Sequence, residues 1–278
     1  MSLNPELRFS QNNLQDYLDC PRRFELRYLQ RQAWPALESE PVLEQEQRMT
    51  EGQQFHKIIQ QFSVGLPMES LTESAEFSAN LSRWWNSFLQ SDPLEGLPQK
   101  RLVEHYLSCS LGGYRLTAQY DLLAIEPGKR ALIFDWKTSS RKPNRDYLKN
   151  RMQTRVYRYL LVAAGASLNG NLLLKPEQVE MVYWFPEHPA MAVHLTYDEK
   201  QFAADRTYLT NLIGEITGQK QGQFILTPDE KKCIFCNYRS LCNRGDIAGE
   251  WNDLEDIPTG ETTPQIDLNF EQIGEIEF

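Results

Sequence analysis

The amino-acid sequence predicts an α/β fold, a mixed sheet of four to five strands flanked by helices. Three features carry this expectation. Apolar residues recur at helical spacing in segments up to residue 90. The pattern then changes to short, partly alternating runs broken by Gly112-Gly113 and Pro127-Gly128, which read as a three-stranded antiparallel meander. A long helical segment follows, then a strand pair, then another helix.

In chain order, Ser10 is placed to cap a helical region over 10–30 in which Leu14, Tyr17 and Leu18 recur at helical spacing. Pro21 breaks it after Cys20, because proline lacks an N–H and clashes with the preceding turn. Phe24, Tyr28 and Leu29 then suggest a second, short helix. Residues 31–48 are polar, contain Pro35 and Pro41, and read as loop. Phe55, Ile58, Ile59 and Phe62 stripe a helix over 49–63. Leu81, Trp84, Trp85, Phe88 and Leu89 crowd one side of another over 77–90. The meander strands fall at 101–109, 114–125 and 130–137. A helix is expected over 144–164, strands at 179–185 and 191–195, and a helix over 198–217 opened by a capping box, Thr196-x-x-Glu199.

Composition narrows the function classes. Six Trp, twelve Tyr and thirteen Phe in 278 residues exclude a wholly disordered chain. No apolar run reaches the roughly 18 residues of a membrane span, and the start lacks a signal-peptide pattern, so a cytoplasmic protein is expected. The net charge of −9 is local: residues 246–278 hold ten acids and no Lys or Arg. All 29 basic residues precede them, against 28 of the 38 acids, which leaves the body near neutral and compatible with a nucleic-acid partner. No phosphate-binding G-x4-G-K-[ST] loop occurs, so unwinding of a duplex would fall to a partner.

One constellation carries chemistry. The second meander strand contains Tyr120-Asp121-Leu122, and the third reads Ile133-Phe134-Asp135-Trp136-Lys137. Asp135 and Lys137 are two apart and share a strand face, on which Asp121 of the neighbouring strand converges. Two carboxylates suit a hard divalent cation such as Mg²⁺, and a lysine beside it suits stabilising phosphate charge or helping to deprotonate water. Taken alone, Asp-x-Lys reads as a strand-end surface salt bridge.

It has company in Gly52-x-x-x-His56, Gln153-x-x-x-Tyr157 and Tyr17-x-x-Cys20-Pro21-x-x-Phe24. With these motifs in this order, the chain resembles the PD-(D/E)XK nuclease superfamily. The likeness is to its RecB-like branch with an iron–sulfur cluster, which includes the AddB nuclease domain and CRISPR-associated adaptation exonucleases, and it covers roughly residues 8–245. The resemblance implies a restriction-endonuclease-like core. It implies that His56, Asp121 and Asp135, with the backbone carbonyl of Trp136, hold Mg²⁺ or Mn²⁺, and that Lys137 is the catalytic lysine. It further implies that Gln153 and Tyr157 back the site or touch the DNA backbone, and that Glu104 on the first strand faces it. One departure is Ala118-Gln119-Tyr120 before Asp121, where the family often has glycine.

Cys233-x-x-Cys236-x5-Cys242 and the remote Cys20 together make a candidate four-thiolate site; Cys109 stands apart. By spacing alone zinc is at least as good a candidate as iron–sulfur; the resemblance favours a 4Fe–4S cluster. Basic residues follow the third strand (Arg141, Lys142, Arg145, Lys149, Arg151, Arg155 and Arg158) and offer phosphate contacts or a solvated helix face. The sequence is thus read as one nuclease domain over 1–245, with 8–30 and 225–245 forming the cysteine lobe and 49–218 the catalytic core. Residues 246–278 are expected to be an acidic, largely disordered tail. The function expected is a metal-dependent DNA exonuclease on single strands or ends, in repair, recombination or defence, with a helicase or other repair partner. The rival is a non-catalytic DNA-end-binding or structural subunit of a helicase–nuclease complex.

Overall fold

A computed structural model describes residues 6–32, 40–140, 142–234 and 236–245. The expected tail, 246–278, and Arg141 lie outside them. The order is β1 (Arg8–Phe9), α1 (Gln11–Asp19), α2 (Pro21–Phe24), α3 (Glu40–Ser63), α4 (Met68–Ala75), α5 (Ala79–Ser91), β2 (Lys100–Leu111), β3 (Tyr114–Glu126), β4 (Arg130–Trp136), α6 (Arg145–Asn150), α7 (Met152–Ala164), β5 (Val179–Trp184), β6 (Val193–Thr196) and α8 (Glu199–Gly218).

The sheet has six strands rather than four to five. β2, β3 and β4 form the antiparallel meander, β5 joins β4 in parallel, and β6 runs antiparallel at the edge. The extra strand is β1, two residues long and parallel to β3 through Arg8–Arg115 and Phe9–Leu116. Two residues give no alternation to read, so its pairing is a tertiary outcome.

Other boundaries moved for local reasons. The polar stretch expected as loop is helical from Glu40; Pro41 sits in the first turn, where its missing N–H costs nothing. Met68–Ala75, unassigned from sequence, is a short helix against α3 and α5. The single helix expected over 144–164 is two: Asn144 caps α6, Arg151 is extended (φ −62°, ψ 146°), and α7 starts afresh at Met152. The cap of α8 is Asp198, whose carboxylate accepts from Gln201 N at 2.7 Å, while Thr196 stays in β6.

Each face of the sheet carries a core. One packs Leu116, Ala118, Tyr120, Leu123, Ile133 and Tyr183 against α1, α7 and α8. The other packs Leu122, Phe134, Trp136 and Trp184 against Phe55 of α3 and Trp84, Trp85 and Phe88 of α5. Each fully buried large side chain contributes about 1.5–3 kcal/mol. The strand alternation slips once. On β3, Ala118 and Tyr120 face the α7 layer, then Leu122 and Ala124 the α5 layer, so the phase changes at Asp121. On β2, Leu102 packs toward the α7 layer, Val103 toward the other, and Leu107 and Leu111 toward α7 again. That slip falls at Glu104, which holds a left-handed φ of 50°. Glu104 stands across from Asp121, and the regular register resumes at His105–Tyr120.

Candidate active site

The pairing of β3 with β4 ends at Leu122–Phe134. One step further, the two strands part and present Asp121 and Asp135 to a notch between the helical layers. β4 stays anchored to β5 on its other side: Asp135 pairs with Tyr183, and Lys137 N donates to Trp184 O at 2.9 Å. The backbone of Asp135-Trp136-Lys137 is therefore fixed although its β3 edge is open.

Two helices close the notch. From α3, His56 Nδ1 comes within 3.3 Å of Asp121 Oδ2. From α7, Gln153 Nε2 donates to Asp135 Oδ1 at 2.6 Å. Asp121 Oδ2 also accepts from Trp136 N at 3.0 Å, a contact that ties β3 to β4 across the gap. Lys137 Nζ lies 2.8 Å from Asp135 Oδ2 and 5.7 Å from the Tyr183 ring centre. Glu104 Oε2 accepts from Gln119 Nε2 at 2.8 Å. His56, Glu104, Asp121, Asp135, Lys137 and Gln153 thus gather at one place.

Gly52 lets α3 come this close. A Cβ there would sit 3.0 Å from Thr138 Oγ1, just past Lys137. Alanine is otherwise worth about 1 kcal/mol over glycine in a helix, so the glycine serves approach, not helicity. Gly52→Val should push α3 off the strand end and swing His56, one turn on, away from Asp121. Cleavage should fall about tenfold or more with the melting temperature lowered by only a few degrees, because small misplacements cost rate heavily. A normal rate in Gly52→Val would show that the approach is not needed.

The charges interact strongly. Burial pushes the Asp135 carboxyl up, Lys137 pulls it back, and Asp121 adds to the rise, leaving it above the usual carboxylate range. For Asp121, burial is outweighed by His56, and its carboxyl lies below that range. Burial disfavours the His56 imidazolium, but Asp121 overrides it and raises His56 to about 9. Glu104 is pushed up to about 7, first by burial and then by Asp121. Without a cation, then, the His56 proton and the Lys137 ammonium balance the carboxylates.

The donor set fits a hard cation. Asp135 Oδ2 is buried and faces the Lys137 ammonium at 2.8 Å, while Gln153 Oε1 is buried with no hydrogen-bond donor among the described residues. An unsatisfied buried acceptor such as Gln153 Oε1 is costly, and a hydrated cation beside the carboxylates would bring water to it. No three or more His, Cys, Asp or Glu among the described residues stand together as a ready metal-holding group. That does not oppose Mg²⁺ or Mn²⁺, since a Mg²⁺ site commonly takes one or two carboxylates and fills the rest with water and substrate phosphate.

Other expected site residues are more enclosed. The Trp136 ring is buried in the core against Phe88, Phe134 and Trp184, so its backbone carbonyl is the part of the residue left for the site. Tyr157 is 3% exposed; its ring lies 4.8 Å from that of Tyr120, and its hydroxyl accepts from Gln11 Nε2 at 3.3 Å. Two basic residues offered for phosphate are spent inside the fold. Arg155 pairs with Asp205 at 2.6 Å, and Arg158, buried, donates to Thr196 O at 2.9 Å.

A family model of the PD-(D/E)XK nuclease superfamily matches residues 8–243. The chain belongs to the PD-(D/E)XK nuclease superfamily. No curated protein matches the sequence. Among solved structures, a candidate exonuclease from Eubacterium rectale is 10% identical, with a TM-score of 0.53 over 93% of this chain and 95% of that one. The protein SSO0001 is 14% identical, with a TM-score of 0.41 over 86% of this chain and 87% of that one. For this PD-(D/E)XK chain, the first likeness supports the fold alone.

In this superfamily member, the segment around Cys20 meets the segment that carries Cys233, Cys236 and Cys242. Arg22 N donates to Ile225 O at 3.0 Å, and Lys232 Nζ lies 3.3 Å from Asp19 Oδ1. Glu25, fully buried, pairs with Arg22 and accepts from Gly222 N. Cys20, Cys233, Cys236 and Cys242 are free thiols. Burial and then the neighbouring thiols, Cys20 among them, push the Cys233 and Cys242 thiols up. At Cys236 burial also raises the thiol, and Arg23 pulls it back. The four are near enough to influence one another without standing as a ready metal-holding group. Their soft sulfur donors suit iron–sulfur or zinc. Among the described residues no helix is long and apolar enough to cross a membrane.

Proposed function

We propose that this superfamily member is a Mg²⁺- or Mn²⁺-dependent DNA nuclease, an exonuclease acting on single-stranded DNA or DNA ends in repair, recombination or defence. The observation that carries the reading is the carboxylate pair Asp121 and Asp135, the latter buried, with the Lys137 ammonium 2.8 Å from Asp135 Oδ2. Asp121, Asp135, His56 and the Trp136 carbonyl would hold the cation. When bound, it would polarise the scissile phosphate and lower the pKa of water. Lys137 stabilises charge on the phosphate and orients the attacking water. Glu104, at about 7, accepts a proton or orients water at the open side of the notch. Gln153 holds Asp135 in place, and Tyr157 packs behind it. The four cysteines would carry a 4Fe–4S cluster, with Zn²⁺ as the alternative. A helicase or other repair partner would supply unwinding.

The test is a digestion panel of single-stranded, blunt and tailed DNA with Mg²⁺, Mn²⁺ or EDTA. Progressive shortening from an end, abolished by EDTA, is the expected result. Metal-independent cleavage, or DNA binding with no cleavage under any condition, would remove the reading.

A further inference from the structure

Helix α1 carries a polar stripe at i, i+4 and i+8: Gln11, Gln15 and Asp19. The stripe is turned toward α7. Gln11 Nε2 donates to the Tyr157 hydroxyl at 3.3 Å. Gln15 Oε1 lies 3.5 Å from Met152 N, the first amide of α7, whose own preceding residue, Arg151, supplies no side-chain cap. Gln15 Nε2 reaches Asp19 Oδ1 at 3.3 Å, and Asp19 is held in turn by Arg23 at 2.9 Å. The first two turns of α7 thus rest on α1 at Met152 and at Tyr157. Gln153 lies between those two supports and reaches Asp135 at 2.6 Å.

We propose that Gln11 is a positioning residue for the nuclease site, acting through Tyr157 and α7 to hold Gln153 on Asp135, with Gln15 supporting the same turn. The inference rests on the reading of Asp135 as a metal-holding carboxylate. Among the contacts that hold Tyr157 are Gln11 at its hydroxyl, the Tyr120 ring against its own, and the Tyr120 hydroxyl donating to its carbonyl at 2.9 Å. The Gln11 contact comes from α1, outside the sheet-and-α7 unit. Gln153 sits one turn before Tyr157 on the same helix face. A rotation of α7 by a few degrees would lengthen the Gln153–Asp135 hydrogen bond. Partners that orient a metal-holding side chain typically matter by about 10–100-fold in affinity or rate, and one step further out the lower end is expected.

Two variants separate positioning from bulk. Gln11→Met keeps the size and removes the donor; Gln11→Glu restores a hydrogen bond with the Tyr157 hydroxyl as donor. The first readout needs no metal: side-chain amide NMR of Gln153 in the full-length protein. The wild type should show a downfield, slowly exchanging amide proton. That signature should be lost in Gln11→Met and kept in Gln11→Glu. The second is Mn²⁺ binding followed by electron paramagnetic resonance, with kcat and KM on single-stranded DNA. Gln11→Met should weaken Mn²⁺ binding and lower kcat about tenfold, with KM for DNA within about twofold of wild type, and Gln11→Glu should recover most of both. An unchanged Gln153 amide in Gln11→Met overturns the proposal whatever the metal does. Equal losses in both variants, tracking a lowered melting temperature, overturn it as well, because they report packing only. If the wild type and Asp135→Asn bind Mn²⁺ alike, the metal assignment of Asp135 fails, and the Gln153 amide still decides the positioning role.

Discussion

Replacing Lys137 by Ala should lower cleavage by about 10²-fold or more while the protein still binds divalent cations. Losing a positioned charge or proton-transfer group has that scale. The geometry sharpens the expectation. Lys137 Nζ sits 2.8 Å from Asp135 Oδ2, so in the metal-free protein it is the countercharge of a carboxylate only 2% exposed. Its removal leaves Asp135 buried with the Gln153 amide alone, and the carboxyl should take up a proton more readily. A fully uncompensated buried charge would cost about 3–5 kcal/mol, but protonation limits the loss, so the melting temperature should fall modestly. Added Mg²⁺ should restore more stability to Lys137→Ala than to wild type, because the cation then replaces the missing positive charge. Asp121→Ala should behave differently. It removes a metal-holding carboxylate and the group that keeps His56 protonated, so both divalent binding and cleavage should be lost. Wild-type cleavage by Lys137→Ala would rule out its catalytic assignment.

Much of this arrangement can be read from the sequence, and the parts that cannot have physical causes. The meander, β5 and β6, and the helix after them follow from alternation and turn residues. So does the shared face of Asp135 and Lys137, because strand geometry alone requires it. Gly52-x-x-x-His56 reads as one helical turn; that its glycine serves contact with Thr138 depends on tertiary approach. The phase slip at Glu104 and Asp121 was legible in principle. Tyr120 and Leu122 are both apolar two residues apart, yet they serve opposite layers, and the surrounding run is apolar enough to hide the slip. The residue that absorbs it on β2 is a glutamate in a left-handed conformation, where local propensity offers no signal. The role of α1 was equally hidden. Gln11 and Gln15 look like ordinary polar positions on an amphipathic helix until α7 is laid against them. The basic run after β4 misleads in the other direction, since Arg155 and Arg158 are consumed by Asp205 and Thr196 on and before α8.

Replacing any one of Cys20, Cys233, Cys236 or Cys242 by Ala should lower thermal stability sharply, whereas Cys109→Ala should be mild. Cys20 ends α1, and the other three lie more than two hundred residues later, so a metal centre shared by the four would close a loop of more than two hundred residues. A cross-link over a loop of that length is worth about 5 kcal/mol by chain entropy, which corresponds to a fall of roughly 10 °C for a protein of this size. The lobe should not come apart entirely. Arg22 N to Ile225 O, Lys232 to Asp19, Tyr17 to Glu215 at 2.7 Å and the buried Glu25 still join the two ends without any metal. The variants should therefore stay partly folded and lose soluble yield, with the damage reported through α1 to Tyr157 as reduced cleavage. Protein purified without oxygen should be brown and contain iron and sulfide in near-equal amounts. A colourless preparation with one zinc per chain would exchange the cluster for zinc and keep the cross-link. Equal melting temperatures for Cys20→Ala and Cys109→Ala would remove the cross-link itself, and the ion pairs around Asp19 and Glu25 would then be what holds the chain ends together.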